Sequence, residues 1–247
     1  MEAQVVEIMS SIQGEGLMVG YRQIFVRFAG CNLRCDYCDT PKGLEDAGPC
    51  QVEETPGRRD FSYYPNPLSL TGLRDIIHCL QPEKHHSISF TGGEPLLRAK
   101  FLQELIPLLD KGQAKVYLET NGTLPEELGQ ILDLIDIISM DFKLPSVTCL
   151  PGYWEQHREF LKIAVNKEVY VKVVFGAETQ DEEIMMVIDT ISSVDSGIPL
   201  VLQPVTPREE GKGWPPPVRV IALQDLCGRY LTDVRVIPQT HKLLGQL

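Results

Sequence analysis

Three thiols fall within eight positions of this 247-residue chain, in the run Cys31-Asn32-Leu33-Arg34-Cys35-Asp36-Tyr37-Cys38. The C-x3-C-x2-C spacing sets three thiolates on one short loop, where they can grip three irons of a cubane cluster. The fourth iron then lacks a protein ligand unless a remote cysteine supplies one, and an open iron can coordinate something else. A structural zinc site is the competing reading. Zinc takes four ligands in a closed tetrahedron, usually as two pairs, and the sequence holds no second Cys-x2-Cys pair. Cys50, Cys79, Cys149 and Cys227 are scattered singly and read as buried, inert thiols. An odd total of seven cysteines does not suit a disulfide framework. The first residues show neither a basic stretch nor an apolar one, so no export signal is expected, and the expected setting is the reducing cytoplasm.

Such a loop has to be carried by regular elements. Apolar, β-branched runs alternate along the chain with helical patterns. Strands are expected at Val5–Met9, Ile24–Phe28, Ser87–Phe90, Lys115–Glu119, Ile135–Met140, Val169–Phe175, Leu200–Val205 and Val234–Pro238. Helices are expected at Leu73–Leu80, Phe101–Leu109, Glu126–Leu134, Trp154–Asn166, Asp181–Ser193 and Val218–Tyr230. The first follows a Ser69-Leu70-Thr71 cap region and the third follows Pro125 at a first-turn position. This alternation predicts an α/β fold with a mainly parallel sheet, closed or partly closed as a barrel. Residues 41–68 read as an irregular excursion and 206–217 as a loop. The polar motifs fall where strands end: Cys31, Thr91-Gly92-Gly93-Glu94-Pro95, Thr120-Asn121-Gly122, Asp141 with Lys143, and Gln203 with Thr206. In a parallel sheet those ends share one edge, and ligands bind there.

Composition narrows the partners. With 23 basic against 34 acidic residues the net charge is −11, which suits neither DNA nor RNA. The chain is 43% hydrophobic and 23% charged, as a globular domain is, and no window reaches the roughly 18 apolar residues of a membrane span. No direct nucleic-acid partner and no membrane partner are expected, and one domain over 1–247 accounts for the length.

The triplet, the aromatic Tyr37 before its last cysteine, and Gly92-Gly93-Glu94-Pro95 after a strand together resemble the radical S-adenosylmethionine (SAM) superfamily. Further runs narrow the resemblance. They are Ser11-Ile12-Gln13-Gly14-Glu15-Gly16, Arg27 with Phe28-Ala29-Gly30-Cys31, Cys38-Asp39-Thr40 and Glu119-Thr120-Asn121-Gly122-Thr123. To these add Ser139-Met140-Asp141-Phe142-Lys143, Gln203-Pro204-Val205 and Pro238-Gln239-Thr240-His241-Lys242. Nearly end to end, the chain resembles the 7-carboxy-7-deazaguanine synthase family. That resemblance implies a modified, incomplete (β/α)6 TIM-like partial barrel, a homodimer, and three cofactors: a [4Fe-4S] cluster, SAM and Mg²⁺. The implied reaction turns 6-carboxy-5,6,7,8-tetrahydropterin into 7-carboxy-7-deazaguanine with loss of ammonia, on the way to queuosine and other 7-deazapurines. A deoxyadenosyl radical would abstract hydrogen from C6 and the ring would contract, with SAM regenerated.

The resemblance also implies roles. Cys31, Cys35 and Cys38 would hold the cluster, and Thr40 would give Mg²⁺ its protein oxygen. Tyr37, Cys38, Asp39, Gly93, Ser139, Met140, Asp141, Gln203, Pro204, Val205 and Thr206 match SAM-contacting stretches. Ile12, Gln13, Gly14, Arg27, Thr91, His241 and the terminal carboxylate of Leu247 match substrate contacts, the tail 238–247 closing over the pterin. Arg27 suits a carboxylate because its guanidinium donates in a planar fork. The acid or base for ammonia loss is left open among Glu15, Asp141 and His241. Asn121-Gly122 reads as a plain turn, Lys143 and Lys172 as solvated or paired, and His78, His85, His86 and His157 as structural or exposed. A flavodoxin-like protein is the expected electron donor. A glycyl-radical activase, which shares the cysteine spacing and acts on a protein, and a non-catalytic metal-binding module are the alternatives.

Overall fold

The computed structural model describes residues 1–38, 48–206 and 214–246. The chain opens with β1 (Glu2–Ala3), β2 (Val5–Ile12) and β3 (Arg22–Phe28), then β4 (Cys50–Glu53), β5 (Phe61–Tyr64) and β6 (Leu68–Ser69). A βα series follows: α1 (Leu70–Cys79), β7 (Ser87–Gly92), α2 (Ala99–Leu105), β8 (Lys115–Thr120), α3 (Pro125–Ile131) and β9 (Ile137–Phe142). The series continues with α4 (Pro145–Thr148), α5 (Trp154–Ala164), β10 (Glu168–Phe175), α6 (Asp181–Ser192) and β11 (Leu200–Pro204). It ends with α7 (Pro217–Gly228), β12 (Val234–Val236) and α8 (Thr240–Leu244).

Among the described residues, ten strands form one sheet in the order β12-β11-β10-β9-β8-β7-β3-β2-β4-β5. From β3 to β12 every neighbouring pair is parallel. The sheet does not close on itself, since β5 and β12 are its edges. This is the open, partial barrel expected of the alternating pattern. Its outer face is covered by the apolar sides of α1, α2, α3, α5, α6 and α7, through residues such as Leu73, Phe101, Leu128, Phe160, Ile188 and Leu223. Strand residues of the outward set, among them Phe90, Leu118, Met140, Phe142 and Val171, complete that core. Ser69 begins α1 as a cap, its Oγ accepting from Gly72 N at 3.1 Å, and Pro125 sits at the start of α3.

Two expectations need correction. In the segment 41–68, β4 and β5 form an antiparallel hairpin, and β4 adds to β2 in parallel, so the sheet is extended here. Each strand has only four residues between Gly- and Pro-containing stretches, too short for a period to register. Cys79 and Cys149 are exposed, whereas Cys50 and Cys227 are buried as expected. The rest of that segment to residue 47, and 207–213 of the loop 206–217, lie outside the described residues. No described helix is long and apolar enough to cross a membrane.

Candidate active site

Along the parallel strands, every second side chain points inward, and the inward row changes character toward the C-terminal ends. β8 turns Tyr117 and then Glu119 inward, β9 Ile137 and then Ser139 and Asp141, β10 Tyr170 and then Lys172, and β11 Val201 and then Gln203. The first member of each row, with Met18, makes a small apolar floor. There the Tyr117 and Tyr170 hydroxyls hydrogen-bond to each other. The later members line a cavity of about 660 Å³.

The loop after β3 brings Cys31, Cys35, Tyr37 and Cys38 to one wall of that cavity. Gly93 meets them from the end of β7. Its N–H donates to Phe28 O at 3.1 Å, and a Cβ there would lie 2.0 Å from Gly30 O. Glycine is required because the cysteine loop rests on this turn. Burial pushes the Cys31 thiol up, and pushes the Cys35 thiol up to about 11, although Lys143 works against it. Among the described residues no three His, Cys, Asp or Glu side chains form a group that could hold a metal ion. A closed zinc tetrahedron needs a fourth ligand, whereas a cubane with one open iron needs three thiolates, so three thiols lining one cavity fit such a cluster better. Loading it displaces the thiol protons.

A layer of half-buried charge lines the same cavity. Asp141 Oδ2 lies 3.0 Å from Lys143 Nζ and 3.3 Å from Lys172 Nζ. Lys143 also donates to Tyr37 Oη at 2.8 Å, tying the charge layer to the cysteine loop. Lys172 reaches on to Glu15, whose carboxylate further accepts from Gln239 at 2.7 Å and Gln203 at 3.1 Å. Burial alone would raise the Glu15 pKa, but the Lys172 charge and these hydrogen bonds outweigh it and hold Glu15 well below the carboxylate range. Among the described residues Asp141 Oδ1 and Gln203 Oε1 are buried without a partner, and both residues line the cavity. Unmet buried acceptors beside a cavity fit a ligand that brings donors.

The N-terminal hairpin and the last helix contribute further lining. Gln13 Nε2 donates to Glu119 Oε1 at 2.7 Å, and Thr91 Oγ1 to Glu119 Oε2 at 2.6 Å. Arg27 lines the cavity with its Nε on Glu7 Oε1 at 2.6 Å. Gly14 O accepts from Thr240 N at 2.8 Å, and a Cβ on Gly14 would lie 2.4 Å from His241. The two motifs Gln13-Gly14-Glu15 and Gln239-Thr240-His241 are therefore one packed unit. The tail is held further by Arg59 Nη2 on Gly245 O at 2.8 Å and Ser11 Oγ on Gln246 Oε1 at 3.3 Å.

Of the residues singled out from sequence, Ile12, Gln13, Gly14, Arg27, Thr91, Gly93, Ser139, Asp141, Gln203, Val205, Thr206 and His241 line this one cavity with the three cysteines and Tyr37. The side chains of Met140 and Pro204 do not, because they belong to the outward set; whatever they give the cavity is backbone. Asp39, Thr40 and Leu247 lie outside the described residues. Glu119, Lys143, Lys172, Asn121 and Gln239 were not picked out, yet all line the cavity. The available signal was a charge at inward parity, such as Lys172 within the apolar run Val169–Phe175.

Glu94 follows the glycine turn and is fully buried. Its carboxylate accepts from Leu96 N at 3.0 Å, Thr120 Oγ1 at 2.8 Å and Asn121 N at 2.8 Å, so it joins two strand-end turns. Burial outweighs these donors and pushes its pKa from 4.5 up to about 7. The folded state then binds a proton that the unfolded chain has released between those two values. Stability from this group is present below about pH 4.5 and is lost as pH rises through 7, with a slope of at most about 1.4 kcal/mol per pH unit. Urea unfolding from pH 5 to 8 should show this decline in the wild type and a flatter profile in Glu94→Gln.

The chain matches the Radical SAM superfamily over residues 25–191. A 7-carboxy-7-deazaguanine synthase of Geobacter sulfurreducens is 48% identical to it, the match covering 99% of this chain and 98% of that protein. Another, from Methanothermobacter thermautotrophicus, is 38% identical over the same shares, 99% and 98%. Among solved structures, QueE from Escherichia coli superposes with a TM-score of 0.62 at 21% identity, covering 98% of this chain and 95% of that one, which shows a shared fold. Such identity, sustained across almost the whole of both chains, makes this chain a member of the 7-carboxy-7-deazaguanine synthase family of radical SAM enzymes.

Proposed function

We propose that the chain converts 6-carboxy-5,6,7,8-tetrahydropterin into 7-carboxy-7-deazaguanine with release of ammonia, a step of queuosine and 7-deazapurine biosynthesis. Family membership supports this over the glycyl-radical activase and the metal-binding module. The observation that carries it is that one cavity is lined both by the cysteine triplet and by Gln13, Gly14, Arg27 and His241. When bound, a [4Fe-4S] cluster and SAM supply a one-electron cleavage that yields a hydrogen-abstracting carbon radical.

The chain's own residues position and shield. Cys31, Cys35 and Cys38 hold the cluster. Tyr37, Gly93, Ser139, Asp141, Gln203, Val205 and Thr206, with the backbone of Met140 and Pro204, hold SAM, and Asp39 belongs to the same stretch. Arg27, kept in place by Glu7, meets the pterin carboxylate. Ile12, Gln13, Gly14, Thr91, His241 and the carboxylate of Leu247 would read its other edge, and Thr40 would give Mg²⁺ its protein oxygen. Glu15 and Asp141 are engaged by lysines, which makes them fixed countercharges rather than free bases. The apolar floor keeps water from below. A flavodoxin-like protein delivers the electron, and the enzyme works as a homodimer in the cytoplasm.

The test is anaerobic reconstitution with iron and sulfide, then turnover of the pterin with reductant, SAM and Mg²⁺. The deazaguanine should accumulate over many turnovers per SAM and fall sharply without Mg²⁺. Reductive SAM cleavage with the pterin untouched would refute the substrate, and absence of any cleavage would refute the radical chemistry.

A further inference from the structure

The turn after β8 is joined to the cysteine loop by a closed ring of hydrogen bonds. Asn121 Nδ2 donates to Asn32 Oδ1 at 2.9 Å, Asn32 Nδ2 to Thr123 Oγ1 at 2.8 Å, and Thr123 Oγ1 to Asn121 Oδ1 at 2.6 Å. Asn121 is 5% exposed, and its remaining polar atoms are held as well. Its N–H donates to Glu94 Oε2 at 2.8 Å, and its carbonyl accepts from His157 Nε2 at 3.0 Å. Its Oδ1 also accepts from Thr123 N at 3.0 Å. A backbone N–H can only donate, so the amide has one orientation, with oxygen toward Thr123 and nitrogen toward the cysteine loop. One amide hydrogen closes the ring. The other is left for Cys31 Sγ, which lies 3.9 Å from Nδ2. A plain turn needs no such second donor.

We infer that Asn121 is a positioning residue for the cluster, which holds the Cys31 corner and donates a hydrogen bond to its sulfur that raises the cluster's reduction potential. This rests on the reading of the triplet as a cluster loop. The physical reason is charge. A donor at a ligating sulfur stabilises negative charge there, and the reduced cluster carries one electron more than the oxidised one, so reduction is favoured. Leu33 N also donates to Cys31 Sγ, at 3.4 Å, but it is backbone and survives any side-chain substitution. Asn121 is the donor that mutation can remove.

The experiment is a redox titration, followed by electron paramagnetic resonance, of the anaerobically reconstituted wild type, Asn121→Ala, Asn121→Leu and Thr123→Val, with iron content and circular dichroism measured on each. Both Asn121 variants remove the donor without adding charge, and should keep their iron and titrate at more negative potential than the wild type. Thr123→Val opens the ring but spares the donor, and should titrate like the wild type. If Asn121→Ala does not fold, Asn121→Leu, closer to asparagine in shape, carries the measurement. Unchanged potentials in the Asn121 variants overturn the inference. So does an equal shift in Thr123→Val, or loss of iron or of fold in both Asn121 variants, since a purely structural brace predicts these. A wild type that takes up no cluster removes the proposed function itself, a result distinct from all of these.

Discussion

Lys172→Met should lower the stability of the protein by up to about 3–5 kcal/mol, the range expected when one partner of a fully buried ion pair is removed. Lys172 is the cation between Glu15 and Asp141, and its side chain is only 13% exposed. Methionine fills the space and leaves Glu15 and Asp141 without their shared cation, with Lys143 still paired to Asp141. Neutralising one of them should restore part of the loss, so Lys172→Met with Glu15→Gln should be more stable than Lys172→Met alone by about 0.5–3 kcal/mol. The acid limb of the stability profile gives a second reading. Glu15 is depressed in the folded state, so it contributes stability that is present above its ordinary value of 4.5 and is lost as pH falls below it. That limb should flatten in Lys172→Met. Urea unfolding between pH 3 and 7 measures both effects, and a single-variant loss under about 1 kcal/mol would show that the charge layer does not stabilise the barrel.

Gly93→Ala should cost the protein most of its iron. The added Cβ falls 2.0 Å from Gly30 O and 3.1 Å from Cys31 Cβ, so either the strand-end turn or the cysteine loop must move. Backbone cannot swing aside as a flexible side chain can, and overpacking of this kind costs about 1–3 kcal/mol. Gly129→Ala in α3 is the control. Nothing lies within 4 Å of its Cβ, so the substitution should be neutral or slightly stabilising and leave iron content unchanged. Iron analysis after identical reconstitution distinguishes the two, and a fully loaded Gly93→Ala would mean that the loop does not rest on this turn.

The strands of the βα series were legible because parallel strands buried on both faces read as continuous runs such as Val169–Phe175 and Leu200–Val205. The cysteine loop and the glycine turn were legible because their residue types are rare at such spacing. The charge layer was not. Lys172, Glu119 and Asp141 meet only through the register of strands far apart in sequence, and no local pattern encodes that register. Asn121 was hidden for the same reason. Asn-Gly marks a turn in any chain, and only the tertiary fold brings its amide to Cys31. The β4–β5 hairpin was missed because four-residue strands carry too little pattern to outweigh the prolines and glycines around them.

The bond from Thr240 to Gly14 joins residues 226 positions apart. A ribosome releases the thiol loop long before it releases α8. The Gln13-Gly14-Glu15 turn therefore emerges among the first residues made, and its packing partner among the last. That part of the cavity lining is completed only when synthesis has reached the final helix.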